Sequence, residues 1–200
     1  MKKIPTLFKR IFEGGKLVKV IPEVSPGLEY IVDGGGTPTV KLDGACCAVI
    51  NGRFYKRYDA KKGKPIPENA IKCQDKPDPI TGHWPCWVPV DETNPADKWF
   101  MAAYDDVANT KNGEHLFNWT YEAVGKHFNN NPYGFDSDTL LPHGFLRIND
   151  LKSHSFQDIR EWLEANPDTE GIVFWDDGKP ICKIKRSDFG LPWNVKTRSK

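Results

Sequence analysis

Two short turn signals constrain the fold more than any other feature of this 200-residue chain. Asn51-Gly52 stands between the runs ACCAVI and RFYKRY, and Asp177-Gly178 stands between EGIVFWD and KPICKIKR. Asn-Gly and Asp-Gly readily adopt the positive φ angles that two-residue turns between antiparallel strands require. Both stretches are therefore predicted to be β-hairpins.

The sequence around the hairpins predicts two helices and some irregular chain. One helix is expected just after Pro95, and a second begins at Ser155 and ends at Asn166, where a proline follows. The proline-rich stretch 61–95 is predicted to be an ordered loop held by two tryptophans. The first thirty or so residues are predicted to be a flexible approach to the first strong strand.

Charge and hydropathy limit the partners only weakly. The formal net charge of +1 gives no overall attraction to nucleic acid, so such binding would depend on a local basic strip. The stretch 53–64, RFYKRYDAKKGK, mixes aromatic rings with six positive side chains and is the candidate RNA path, a solvated surface strip being the alternative. No run has the length of a membrane span and the N-terminus lacks a secretory signal, so we expect a cytoplasmic protein without membrane contact.

The five cysteines are interpreted as reduced thiols, because their number is odd and Cys46 and Cys47 are adjacent. Cys73, His83 and Cys86 lie within fourteen residues, which raises the possibility of a zinc site. Without a C-x-x-C pair or a clear fourth ligand, ordinary thiols are the preferred interpretation.

The second hairpin is predicted to bring charged side chains together. If 177 and 178 are the two turn residues, Glu170 faces Lys185 and Ile172 faces Lys183 across the strands. Because side chains alternate between faces, these four residues would share one face of the sheet. A cross-strand salt bridge on a solvated surface is the alternative explanation. The same reasoning on the first hairpin places Arg57 near the segment 41–44.

Four short motifs occur in a recognisable order. They are KLDG at 41–44, TYEAVG at 120–125, EGIVF at 170–174 and KIKR at 183–186. Together they resemble motifs I, III, IV and V of the covalent nucleotidyltransferases, which are the polynucleotide ligases and mRNA capping enzymes. K-x-D-G alone recurs by chance, whereas four matches in this order and spacing are specific.

Additional stretches narrow the resemblance to ATP-dependent 5′-3′ RNA ligases of the RNA ligase 1 type. Similar stretches stand at 82–90 (GHWPCWVPV), 131–134 (NPYG), 142–144 (PHG) and 190–193 (GLPW). DNA ligases and capping enzymes usually carry an arginine where Cys46 stands here, and they append an OB-fold domain where only fourteen residues follow Arg186. The resemblance implies a single α+β adenylyltransferase domain over residues 1–200, without an OB-fold domain. Two antiparallel sheets would flank an ATP cleft, with helices outside.

The resemblance also implies catalytic roles. Lys41 would attack the α-phosphate of ATP as a neutral amine, which gives a lysine-linked AMP and pyrophosphate. Lys183 and Lys185 would be catalytic residues that bind the phosphates. Glu170, helped through water by Asp43 or Glu122, would bind Mg²⁺ or Mn²⁺ through its carboxylate oxygens.

Other side chains are expected to contact the nucleotide. Glu122 would accept hydrogen bonds from the ribose, and Arg57 would contact the sugar or the incoming phosphate. The adenine would lie between Ile172 and an aromatic ring, either Phe145 or His143. The full set of expected nucleotide contacts is Thr39, Lys41, Asp43, Arg57, Glu122, Phe145, Ile172, Lys183 and Lys185.

The implied function is ATP-dependent ligation of RNA ends that carry a 5′-phosphate and a 3′-hydroxyl, through lysyl-AMP and an RNA-adenylate. One alternative is an adenylyltransferase that acts on DNA ends or on a non-RNA acceptor. Another is a non-catalytic nucleotide-binding or RNA-binding module. The joint presence of Lys41 and the motif IV and V residues argues against the module, because binding alone needs no nucleophile.

Overall fold

The structure is a computed structural model that describes residues 1–79, 81–108 and 116–193. Its strands in chain order are β1 (Phe8–Glu13), β2 (Lys16–Val24), β3 (Thr37–Lys41), β4 (Ala45–Ile50), β5 (Arg53–Ala60), β6 (Ile71–Lys72), β7 (Trp84–Pro89), β8 (Trp119–Val124), β9 (Thr139–Pro142), β10 (Gly171–Asp176) and β11 (Lys179–Lys185). Its helices are α1 (Glu29–Val32), α2 (Lys98–Ala108) and α3 (Phe156–Ala165), with 3₁₀ turns at Pro95–Asp97 and Arg186–Phe189. The described elements make an α+β protein with antiparallel sheets, as predicted.

The chain divides into two compact units. The first unit comprises Met1–Lys3 and Asp43–His143, and the second comprises Ile4–Leu42 and Gly144–Lys200. Each unit has a hydrophobic core of its own. The assignment of residues 1–200 to one adenylyltransferase domain stays a prediction.

The first unit is built on a six-stranded sheet with the order β6-β7-β5-β4-β8-β9. Its first hairpin has the predicted register, because Ile50 pairs with Arg53 across Asn51 and Gly52. Both turn residues have positive φ, 51° and 74°. The predicted helix begins with a 3₁₀ turn at Pro95 and continues as α2. This part of the fold follows from local turn and capping chemistry.

Strand β7 was not predicted, because prolines at 85 and 89 made this stretch resemble a loop. The strand pairs with β5 from Trp84 opposite Ala60 to Pro89 opposite Tyr55. The Trp84 indole N–H also donates to the backbone oxygen of Gln74 at 2.7 Å. The tryptophan therefore anchors the preceding chain, as expected, but does so from a strand.

The second unit contains a three-stranded sheet with the order β11-β10-β3 and a separate β1-β2 hairpin. The hairpin replaces the flexible approach that was predicted for the first thirty residues. Helix α3 begins as predicted, because the Ser155 hydroxyl accepts a hydrogen bond from the Asp158 N–H at 3.1 Å. Ile159 and Leu163 on this helix are fully buried in the core of the unit.

The predicted register of the second hairpin is correct only near the turn. Trp175 pairs with Pro180 as expected, but Phe174 pairs with Cys182, so Ile181 is an extra residue in β11. This β-bulge shifts every later pair by one position. Because a one-residue shift exchanges the two faces of a strand, the predicted set of residues on one face must change.

The bulge changes both predicted pairs, because Lys185 pairs with Gly171 instead of Glu170, and Lys183 pairs with Val173 instead of Ile172. Ile172 is the residue that leaves the predicted face. It pairs with Ile184 and is fully buried in the core, whereas Val173 pairs with Lys183. The prediction that Ile172 shares a face with the lysines and contacts the nucleotide is therefore wrong. Val173 occupies the position on that face instead.

Two further observations concern the described ranges. None of their helices is long and apolar enough to span a bilayer. All five cysteines lie in these ranges and are free thiols, as predicted.

Candidate active site

Three lysines and a glutamate meet on the three-stranded sheet of the second unit. We call Lys41, Glu170, Lys183 and Lys185 the lysine cluster. Gly171 in the central strand pairs with Lys41 on one side and with Lys185 on the other. Directly paired residues project from the same face, and Lys183 shares that face because it lies two residues before Lys185.

Glu170 connects two of the lysines. Its Oε1 atom lies 2.8 Å from Nζ of Lys185, and its Oε2 atom is ion-paired with Nζ of Lys41. Glu170 is buried, and a buried carboxylate is costly unless cations compensate it. When all three lysines are protonated, one carboxylate faces three ammonium groups, and the excess positive charge favours an anionic ligand such as a phosphate.

Lys183 is the lysine whose ionisation the site changes most clearly. Burial, with repulsion from Lys41, Lys185 and Arg10, lowers the pKa of Lys183 to about 8, although Glu170 acts in the opposite direction. Removal from water disfavours the ammonium form, and neighbouring positive charges add to that effect. Lys183 therefore changes its charge close to neutral pH.

The backbone of β11 is fixed on both sides of these lysines. The Lys183 N–H donates to the carbonyl oxygen of Pro5 at 3.0 Å. The Lys185 N–H donates to the Asp188 carboxylate at 2.8 Å, and that buried carboxylate lies 2.7 Å from the guanidinium of Arg10. The two lysine side chains consequently project from a strand that has little freedom to shift.

Gly171 is required by the close approach of the strands. A Cβ atom at this position would lie 2.3 Å from the carbonyl oxygen of Ile184, far below van der Waals contact. Beside it, the Thr39 hydroxyl donates to the carbonyl oxygen of Val173 at 3.0 Å and is fully buried. Thr39, expected to contact the nucleotide, aligns β3 with β10 in this structure.

A second group of functional side chains lies in the first unit. We call Cys46, Glu122 and His143 the Glu122 cluster. Cys46 pairs with Glu122 across β4 and β8, and His143 Nε2 lies 2.8 Å from Glu122 Oε2. Burial, with repulsion from Glu122, raises the pKa of the Cys46 thiol to about 12. The thiol is therefore protonated at neutral pH.

Close packing in this cluster requires a glycine at position 44, the last residue of the KLDG motif. A Cβ atom at Gly44 would lie 2.1 Å from the carbonyl oxygen of Ala123. The Gly44 N–H donates to Glu122 Oε1 at 2.9 Å. Both carboxylate oxygens of Glu122 are thus engaged, one by Gly44 and one by His143.

Sequence reasoning missed the residues that hold Asp43. The Asn129 amide donates to Asp43 Oδ1 and to the Gly44 carbonyl oxygen, both at 2.8 Å. The Asp43 N–H donates to the Tyr133 hydroxyl at 2.6 Å. Three consecutive asparagines, 129–131, have φ between 44° and 62°, a conformation that asparagine tolerates better than most residues. The NNN run is typical of a loop and is the signal in the sequence that could have indicated this one.

Arg57 is bound to partners within the first unit. Its Nη1 group donates to the Met1 carbonyl oxygen at 2.6 Å, its Nε group donates to Asp59 at 2.7 Å, and its guanidinium lies 5.9 Å from the ring centre of Trp87. These contacts fix the orientation of the guanidinium. Its assignment to the sugar or the incoming phosphate stays a prediction.

Two exposed residues lie along the outer edge of β3 in the second unit. Phe145, a predicted stacking residue, is 57% exposed. Arg147 is exposed and lies directly opposite Thr39 in an antiparallel bridge, which adds a positive side chain to this sheet that the motifs did not indicate. His143, the alternative stacking residue, lies in the first unit and is engaged by Glu122.

The sequence of this chain is similar to that of proteins named RNA ligase 1. A protein-family model described as RNA ligase 1 matches residues 112–199. RNA ligase 1 of Danio rerio is 30% identical in an alignment that covers 70% of this chain and 47% of the relative.

RNA ligase 1 proteins of mammals show the same relationship at lower identity. The protein of Pongo abelii is 26% identical in an alignment that covers 79% of this chain and 68% of the relative. The protein of Rattus norvegicus is also 26% identical, and its alignment covers 78% of this chain and 67% of the relative. The chain spans about half the length of the Danio rerio RNA ligase 1 and about two thirds of the length of the mammalian ones.

Most residues of the candidate site lie inside the range that matches the RNA ligase 1 model. The matched range contains Glu122, Glu170, Lys183 and Lys185, whereas Lys41 precedes it. The structure nevertheless places Lys41 in contact with Glu170. Four residues that the motifs predicted therefore lie in one cluster, although they are separated by up to 144 positions in the chain.

Proposed function

We propose that this chain is an ATP-dependent RNA ligase that joins 5′-phosphate and 3′-hydroxyl ends through lysyl-AMP and an RNA-adenylate. The observation that carries the proposal is the position of Lys41. Its amine lies on a sheet face, with the side chain 19% exposed, and is paired with the Glu170 carboxylate beside two further lysines. The relationship to RNA ligase 1 proteins supports RNA as the acceptor.

The first step transfers AMP to the protein. The Lys41 nitrogen attacks the α-phosphorus of ATP, a phosphorus–nitrogen bond forms, the bond to the bridging oxygen of the β-phosphate breaks, and pyrophosphate leaves. Glu170 Oε2 is ion-paired with this nitrogen, so its carboxylate is the acceptor for the proton that the amine gives up. Lys183 and Lys185 compensate the negative charge of the phosphates.

The later steps use the same positive surface. An oxygen of the RNA 5′-phosphate attacks the phosphorus of lysyl-AMP, which breaks the phosphorus–nitrogen bond and returns Lys41 to its amine form. The 3′-hydroxyl oxygen of the second end then attacks the activated 5′-phosphate, AMP leaves, and the hydroxyl proton passes to solvent. Each step adds negative charge that the lysine cluster stabilises.

Mg²⁺ or Mn²⁺ would fit this site only together with the nucleotide. Glu170 offers the carboxylate oxygens that such ions prefer, but both oxygens are paired with lysines and the cluster carries excess positive charge. The ion would therefore be bound by phosphate oxygens with Glu170 as the protein ligand, and when bound it would neutralise phosphate charge. Glu122, the other predicted ligand, lies in the first unit beside nitrogen and sulfur donors.

The test is covalent labelling with α-labelled ATP and Mg²⁺, followed by denaturing electrophoresis and mass spectrometry. We expect an acid-labile AMP adduct on the native chain and none on Lys41→Ala. Lys179→Ala is the control, because Lys179 is an exposed lysine at the start of β11 and lies outside the lysine cluster, and it should label normally. A native chain that takes no label from ATP or GTP with either metal ion contradicts the catalytic proposal and favours a binding module.

The acceptor is tested separately by adding oligonucleotides to the labelled protein. A 5′-phosphorylated RNA should receive the AMP and then be joined to a 3′-hydroxyl end, whereas a 5′-hydroxyl RNA should leave the label on the protein. Transfer to 5′-phosphorylated DNA but not to RNA would contradict the assignment of RNA and leave the adenylylation step intact.

A further inference from the structure

The Glu122 cluster brings three different metal-binding groups together at one place in the first unit. Cys46, Glu122 and His143 each offer one ligand atom, and these atoms all lie within 4.8 Å of one another. In the ranges 1–79, 81–108 and 116–193, no other group of histidine, cysteine and acidic side chains has this geometry. Cys73, His83 and Cys86, which the sequence analysis considered as a zinc set but did not favour, do not form such a group among the described residues.

The sheet places the three ligands by its register. Cys46 and Glu122 are direct cross-strand partners, and Leu141 is the partner of Glu122 on the other side. His143 lies two residues beyond Leu141, and therefore on the same face of the sheet. Two neighbouring strands and the residue that directly follows a third thus supply one ligand each, and the His143 N–H is held by the Thr120 carbonyl oxygen at 3.0 Å. A rigid support of this kind is what metal sites require.

Two of the ligands are also oriented by neighbouring groups. His143 Nδ1 lies 3.0 Å from the Thr120 hydroxyl, so that Nε2 points towards Glu122. Glu122 Oε1 accepts the Gly44 N–H at 2.9 Å, which leaves Oε2 directed at the histidine. Outer partners of this type fix the ring and the carboxylate of metal ligands.

The donor set selects the type of ion. A thiolate and an imidazole favour Zn²⁺ and similar transition-metal ions, whereas Mg²⁺ prefers oxygen donors only. We propose that Cys46, Glu122 and His143 form a binding site for Zn²⁺ or a similar transition-metal ion. Three protein ligands leave a fourth position for water, and the thiol proton is released to solvent when the ion binds.

This site is a property of the chain beyond the proposed ligase activity, and its occupation requires neither ATP nor RNA. Its position explains why a metal ion there would matter. Glu122 is also the acceptor for the Gly44 N–H, so the ion would fix the carboxylate that holds the glycine of the KLDG motif. Binding to the folded protein alone should also raise its thermal stability.

The test is a Co²⁺ titration of metal-free, reduced protein, followed by absorption spectroscopy. We expect one equivalent to give a thiolate-to-cobalt charge-transfer band with tetrahedral d–d bands, and Zn²⁺ but not excess Mg²⁺ to displace the cobalt. The charge-transfer band should disappear in Cys46→Ala and Cys46→Ser, and the affinity should fall at least about tenfold in His143→Gln. Cys73→Ala is the control, because Cys73 is another half-buried thiol of the same unit.

Three results would overturn the proposal. They are a native protein without a charge-transfer band, a band that persists in both Cys46 variants, and equal displacement by Mg²⁺. Circular dichroism of each variant establishes that it is folded, and the serine variant keeps the size of the side chain if the alanine variant does not fold. All of these readouts are independent of ATP, so they stand whether or not the chain labels with AMP.

Discussion

The lysine cluster and the Glu122 cluster each contain a buried carboxylate that contacts a residue of the KLDG motif, but the partners of the two carboxylates differ. In the lysine cluster, Glu170 is shared by two ammonium groups and a third lies on the same face. In the Glu122 cluster, one carboxylate oxygen accepts a backbone N–H and the other meets a histidine. The first cluster has positive charge in excess, and in the second both carboxylate oxygens have a hydrogen-bonding partner within the first unit.

The difference shows which cluster is suited to chemistry on phosphates. Excess positive charge on a partly exposed face is unfavourable for the protein alone and is relieved when an anion binds. A carboxylate whose oxygens are already hydrogen-bonded within its own unit fixes its neighbours instead. We therefore assign reaction to the lysine cluster and positioning of the KLDG glycine to the Glu122 cluster.

The largest effect is expected from Glu170→Gln. The amide keeps the shape of the side chain but removes the charge that pairs Lys41 with Lys185 and the acceptor for the amine proton. We expect the rate of AMP labelling to fall about 100- to 1,000-fold, the range typical for the loss of one electrostatic or acid–base group. Single-turnover labelling with α-labelled ATP measures it.

Glu164→Gln is the control for this variant, because Glu164 is a half-exposed residue of helix α3 that pairs with Arg160. It should leave the labelling rate unchanged. If Glu170→Gln labels as fast as the native chain, Glu170 takes no part in the reaction, and the contrast between the two clusters is lost.

The second prediction concerns pH. Because the pKa of Lys183 is lowered to about 8, this lysine loses its charge as the pH rises through 8, whereas below that value it is a cation. Binding of pyrophosphate, which requires the cation, should therefore weaken above pH 8 by up to about tenfold per pH unit. Isothermal titration between pH 7 and pH 9.5 measures this dependence.

Lys183→Arg sharpens the same test. A guanidinium stays protonated over this range, so the variant should bind pyrophosphate almost equally at pH 7 and pH 9.5. A native affinity that is constant across the range would show that Lys183 does not supply charge to the phosphate site. A variant as pH-dependent as the native chain would assign the titration to another group.

The sequence predicts those parts of the fold that depend on local chemistry. Asn51-Gly52 fixed the register of the first hairpin, and Ser155 marked the start of helix α3. The bulge at Ile181 was missed, although Pro180 beside it is a residue that strands accept mainly at edges and bulges. The proline does not specify that a residue is inserted, and the effect of the insertion is a shift of pairing with another strand. Local signals therefore placed the second turn correctly, but they did not give the correct strand pairing beyond the bulge.

The same distinction applies to the candidate site. The motifs identified Lys41, Glu170 and the two lysines of KIKR, because reactive residue types at fixed spacing are visible in a sequence. They did not reveal that Asn129 contacts Asp43, a partner 86 positions away. Contacts between residues so far apart in the chain depend on how strands and loops are assembled. Local patterns in a single sequence do not specify that assembly.

The smallest effect is expected from the loop that holds the KLDG motif, where Asn129→Ala removes the amide bonded to Asp43 and Gly44. Both hydrogen bonds are solvent-exposed and should contribute about 0.5 to 0.7 kcal/mol each, so the rate of AMP labelling should fall about five- to tenfold. Asn130→Ala is the matched control, because Asn130 also has positive φ, 62°, and pays the same backbone cost. Equal losses in the two variants would assign the effect to the backbone and remove the positioning role from the amide, whereas a loss confined to Asn129→Ala would establish that the first unit acts on the reaction through the KLDG loop.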